Sequence, residues 1–200
     1  MCHTRYVLLP VTITFLLTLA NQTNGQVLTA KQKQDSISLT AFTRKAYRWH
    51  NREILNDQGF EPKKNRQTDT LYGGIDFGPV NFMTGKLKRS GFFDGAFLEN
   101  YRKIAARMDK ELKNGTAVWR EGRLPPFNTD ADPWCNCPNG AGINWDKIRL
   151  VHLKFDQQTV SFDWTWGGDS YHKVKVKKDN GSWKSSYLQG FDMGSFRWRD

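Results

Sequence analysis

Between Lys147 and Gln189 the apolar residues recur at every second position, and three turn signals cut the stretch into four short runs. Side chains of a strand alternate between its two faces, so this period demands half-buried β-strands. Asp179-Asn180-Gly181-Ser182 is the strongest turn, because Asn-Gly suits the two positive-φ positions of a tight hairpin. It predicts Lys178 opposite Trp183, Val176 opposite Ser185 and Val174 opposite Tyr187. A Gly167-Gly168-Asp169 loop sets Trp164 against His172 and Phe162 against Val174. A Gln157-Gln158 turn sets Phe155 against Val160 and Leu153 against Phe162. The three hairpins agree on one apolar face: Val151, Leu153, Phe155, Val160, Phe162, Trp164, Trp166, His172, Val174, Val176, Trp183 and Tyr187. A one-residue slip would turn a whole strand over, so that agreement constrains the register. The opposite face carries Lys154, Ser161, Asp163, Thr165, Tyr171, Lys173, Lys175 and Lys177, and is expected to be wet or to meet a polar partner.

Helices precede the meander. Ser36 to Asn56 reads as a first helix, although Ile37, Phe42, Tyr47, Trp49 and Ile54 follow a helical stripe only in part. Gln58 to Thr70 reads as a polar linker. Asp76 and Pro79 suit the start of a short helix reaching Lys88. From Phe92 to Leu112, apolar residues at intervals of three and four draw one helical face, with Ser90 or Asp94 as N-cap and Asn114-Gly115 as the stop. Thr116 to Asp146 is rich in Pro and Gly and reads as a long loop, of the kind that carries function or covers a pocket. Helices first and an antiparallel meander last predict an α+β fold with helices on one sheet face. The expected organisation is a signal segment over 1–25, an N-terminal segment over 26–35, one domain over 36–190 and a tail over 191–200.

The signal assignment rests on three parts: a short n-region with Arg5, an apolar run from Tyr6 to Ala20, and a polar c-region with Thr23 and Gly25 before Gln26. The run is short for a membrane helix and Pro10 interrupts it, so cleavage near Gly25 and a secreted or periplasmic location are expected, with no membrane span. The net charge is +10 and there are eight Trp, but the basic residues are spread along the chain and no nucleic-acid motif accompanies them. Solubility alone accounts for that charge; a polyanionic surface, an anionic lipid or an acidic protein, is the better guess at a partner than nucleic acid. The outer sheet face is also a candidate for homodimer pairing. Cys2 leaves with the signal, so Cys135 and Cys137 remain as a disulfide candidate, read as a local loop staple in preference to metal or redox work. Two thiols one residue apart are too few for a closed zinc site. No motif calls for a metal or a cofactor.

Ser90-Gly91-Phe92-Phe93, Phe97-Leu98-Glu99-Asn100-Tyr101, then Asp109 and Leu112 resemble the central helix of the bacterial family known as domain of unknown function 3828. The loop from Asp130 to Pro133 before the meander and the closing hairpin from Lys178 to Lys184 are similar too, so the resemblance spans about residues 36 to 190. It implies a cystatin-like, nuclear-transport-factor-2-like cone, with a curved sheet wrapped on a long helix and a pocket between them, in an exported bacterial protein. The stretch Trp134-Cys-Asn-Cys-Pro138 departs from the family pattern, and the resemblance implies no catalytic residue.

Two functional classes follow. A non-enzymatic binding or interaction domain would take an unknown small apolar ligand or a protein partner, immunity-type inhibition being one version. Its ligand residues would be Trp164, Trp166, His172 and Tyr187, since clustered Trp and Tyr often line a partly open pocket. A small acid–base enzyme, a dehydratase or isomerase, would use His172 as general base, with a carboxylate supplied by Asp130 or Asp132. His152 and Asp163 face each other on the outer side, where a solvated pair implies no catalysis. His50 is expected to face solvent.

Overall fold

The computed structural model describes residues 28–54, 59–64, 70–123, 132–135, 144–167 and 170–194. The signal segment, Asp130 and Cys137 lie outside them.

The first helix, α1 (Ala30–Glu53), begins six residues before the expected Ser36. Thr29 makes a capping box: its hydroxyl accepts from the Gln32 N–H, and the Gln32 side chain accepts from the Thr29 N–H. The polar stretch after α1 is not a plain linker. Strand β1 (Pro62–Lys64) pairs antiparallel with β2 (Tyr72–Ile75), and the Ile75 N–H donates to the carboxylate of Asp109 at 3.0 Å. Helix α2 (Phe77–Ser90) is capped by Asp76, which accepts from Gly78. It ends at Gly91, whose φ of 74° is one that a Cβ resists. Helix α3 (Gly95–Lys113) starts at the Asp94 cap, so Phe92 and Phe93 lie before it rather than on it.

The meander forms one antiparallel sheet in the order β3 (Arg149–Asp156), β4 (Thr159–Thr165), β5 (His172–Asp179), β6 (Ser182–Leu188). Asn180 and Gly181 take the positive φ values their turn demands, 48° and 78°. The β4–β5 pairing matches the expected register, with Trp164 opposite His172 and Phe162 opposite Val174. The other two pairings each slip by one residue at a bulge. Between β3 and β4, Val151 faces Asp163 and Lys154 faces Ser161, so His152 and Leu153 share one place opposite Phe162. Between β5 and β6, Val176 faces Ser185 but Lys175 faces Tyr187, which leaves Ser186 as the extra residue. Both bulges invert what lies beyond them. Leu150 takes the inner place expected for Val151, and Leu188 takes the one expected for Tyr187.

Helices α1 and α3 pack on the inner face, against β3 and β6 respectively. The stretch before α3 also closes the free edge of β6: the Ser185 N–H donates to the Phe92 carbonyl at 2.8 Å, and the Asp94 N–H to the Ser185 carbonyl at 3.0 Å. The packed body runs past residue 190. Phe191 is buried, Asn100 donates to its carbonyl, and Arg107 donates to that of Met193. The expected tail therefore begins as part of the core. No described helix is long and apolar enough to cross a membrane.

Candidate functional site

The centre of the inner face is buried among the described residues. Trp164 is 0 % exposed and His172 1 %, so both are core residues and neither lines an open mouth. Trp164 meets its one polar need inside: its Nε1–H donates to the Tyr47 hydroxyl at 3.0 Å, which donates in turn to the Trp134 carbonyl at 2.8 Å. Burial pushes the Tyr47 hydroxyl far above its ordinary range, so it remains a neutral donor. His172 packs 5.5 Å from the Trp164 ring, and neither of its ring nitrogens has a hydrogen-bond partner among the described residues. Burial alone lowers its pKa to about 3, which makes it a neutral imidazole, with no carboxylate bonded to it among the described residues. Of the residues expected to line an inner pocket, Trp166 is half-buried against Trp164, and Tyr187 stands on the other face.

His50 is also misplaced by sequence reasoning. It is buried under Trp134, ring centres 4.8 Å apart, and burial lowers its pKa to about 4. Asp132 accepts from the Trp134 N–H, and burial raises its carboxyl above the ordinary range. It lies on the α1 side of the core, with no described hydrogen bond to His172. Cys135 is buried and disulfide-bonded. No group of three or more His, Cys, Asp or Glu among the described residues could hold a metal ion.

Among the described residues a concavity lies on the outer face. An open groove of about 630 Å³ is lined by His152, Lys154, Ser161, Asp163, Lys173, Lys175, Tyr187 and Asp192, with backbone from β4 and β5. The β5–β6 bulge brings Tyr187 here, beside Lys175. Its hydroxyl donates to Asp192 at 3.2 Å, and burial first, then the Asp192 charge, hold it above its ordinary pKa. The β3–β4 bulge aims His152 across the groove: with φ at 53° its Nδ1 lies 2.9 Å from the Asp163 carboxylate, and its ring packs on Tyr171. The expected His152–Asp163 contact is thus present, although Val151 is the residue registered opposite Asp163.

Six lysines project from β3, β5 and β6, and they divide by place. Lys177 pairs with Asp94 at 3.1 Å, Lys178 with Asp35 at 2.6 Å and Lys184 with Asp179 at 2.6 Å. Lys154, Lys173 and Lys175, the three that line the groove, form no ion pair among the described residues. The strand lysines are therefore paired off the groove and unpaired within it, where the carboxylates of Asp163 and Asp192 also stand. Sequence reasoning placed these residues on the wet face but missed the site, because lysine pairing depends on long-range neighbours such as Asp35 and Asp94. Compared with known protein families, with curated proteins and with solved structures, the chain matches none of them.

Proposed function

We propose that this chain is an exported, non-enzymatic interaction domain whose outer sheet face binds an acidic protein partner. The N-terminal segment, with its n-region, short apolar run and small-residue cut site, supports export. The helices on one face of an antiparallel sheet support the cystatin-like, nuclear-transport-factor-2-like cone implied by the family resemblance. The observation that carries the binding reading is the division of the strand lysines: three ammonium groups without an ion pair among the described residues line the groove, while Lys177, Lys178 and Lys184 outside it are each paired. Unpaired charge in a concavity raises the local concentration of opposite charge and speeds encounter. Trp164 and His172 are buried in the core and offer an apolar ligand no opening there, and a second copy of the chain would present the same lysines, so like charges would meet. The acid–base enzyme has less support, because its candidate base His172 is buried and bonds no carboxylate among the described residues.

The test compares two charge-matched variants for binding to polyglutamate over a range of salt. Lys154→Gln with Lys175→Gln should lower affinity about tenfold or more and flatten the salt dependence. Lys178→Gln with Lys184→Gln removes as much charge outside the groove and should bind nearly as the parent does. Equal losses in both variants would mean that net charge alone drives binding, and the groove reading would fall.

A further inference from the structure

We infer that the rung crossing the sheet through Lys154, Ser161, Lys175 and Tyr187 is a subsite for one tetrahedral oxyanion, a phosphate or sulfate monoester borne by the acidic partner. This rests on the binding face proposed above and specifies what that face recognises. The register sets Lys154 and Lys175 directly on either side of Ser161, each one strand away. Neighbouring strands lie about 4.8 Å apart, so two ammonium groups on flexible four-carbon stems can converge above the hydroxyl between them. Neither lysine has a carboxylate partner, and the Ser161 hydroxyl makes no side-chain hydrogen bond among the described residues. Three donors of two kinds around one point suit an anion with three equivalent oxygens, whereas a carboxylate presents two in a plane.

The negative groups nearby are already engaged. Asp163 is held by His152, and Asp192 accepts from the Tyr187 hydroxyl and from the Gly194 N–H. Neither competes freely for the two lysines. Tyr187 closes the end of the rung, and the Lys175 ammonium rests 5.4 Å from its ring centre, on the side away from Ser161, so it swings back across its own strand to meet an anion there.

The test reads backbone amide shifts of the full chain in titrations with inorganic phosphate, sulfate and acetate at one fixed ionic strength. Phosphate and sulfate should shift the amides of 154, 161 and 175 saturably, and acetate should bind at least tenfold more weakly. Ser161→Ala should lower phosphate affinity roughly tenfold, the loss expected for one hydrogen bond to a charged group. Lys178→Gln should leave it unchanged. A phosphoserine peptide should outbind the same peptide carrying glutamate, and vesicles of phosphatidate should not compete with it. Acetate matching phosphate, or an unchanged Ser161→Ala, would overturn the subsite while polyglutamate binding kept the wider face intact. Vesicles binding in preference to the phosphopeptide would overturn the protein-borne ester, and failure of every anion would sink both readings.

Discussion

A Cβ on Gly190 would overlap the backbone carbonyl of Pro133, because the turn over Gln189–Phe191 is laid against the loop that carries Trp134. Trp134 and Phe191 meet edge to face there, ring centres 4.4 Å apart. Gly190→Ala should therefore destabilise by about 1–3 kcal/mol through overpacking, seen as a lower urea midpoint at unchanged slope. An unaltered midpoint would mean that the two segments can part without cost. At Trp183 the expected loss is larger. The indole is buried, donates to the Ser38 hydroxyl at 2.9 Å and lies under the Lys178 ammonium, so truncation to Ala should cost about 3–5 kcal/mol. That Trp183 faces inward was legible from alternation alone. That His172 is buried was not: its row is given by period two, but its neighbour Trp164 is covered by Tyr47 and Trp145, which come from distant segments.

The elements show why the sequence yielded the four strands and the start of α2 but missed the bulges in both outer pairings. Turns and alternation are local, and the Asn180-Gly181 hairpin formed as its residues demand. Gly181→Val should cost about 1–2 kcal/mol or more, since φ of 78° forces a β-branched side chain into the left-handed region. A melting temperature equal to the parent's would count against that turn. Bulges, by contrast, leave almost no local mark. In β6 the apolar alternation breaks at Ser185-Ser186, two polar residues that fit either face equally well. The inner place then goes to Leu188, which buries more apolar surface than Tyr187 could without losing its hydroxyl's water or carboxylate. In β3 the extra residue is His152, and its positive φ is repaid by the Asp163 contact. The α1 start was readable in principle, since Thr29-Ala-Lys-Gln32 is a capping-box pattern. It was overshadowed by the weak stripe that follows.

For the molecule as a whole, two neutral histidines in one core make stability depend on acid. Burial holds His50 at about 4 and His172 at about 3, both below the ordinary imidazole value near 6.5. An unfolded chain would protonate both below pH 6.5 while the folded one does not. Unfolding thus takes up protons, and stability falls as pH drops from about 6.5 toward 4. Each group contributes about 1.4 kcal/mol per pH unit within that window, so the pair should cost about 3 kcal/mol between pH 6 and pH 5. Asp132 works in the opposite sense, because its raised carboxyl pKa restores stability on acidification, but only close to the carboxylate range. Glu53, Glu99 and Asp179 lie at the surface, and their ion pairs are screened by salt. Urea unfolding at pH 7, 6 and 5 in high salt should isolate the histidine effect. His172→Leu removes two unpartnered nitrogens at similar volume, so it should be neutral or stabilising at pH 7 and should halve the acid slope. With His50→Leu added, the slope between pH 6 and pH 5 should nearly vanish. A parent protein as stable at pH 5 as at pH 7, or a double variant as acid-sensitive as the parent, would show that these imidazoles are hydrated or partnered in solution and that the inner face is open after all.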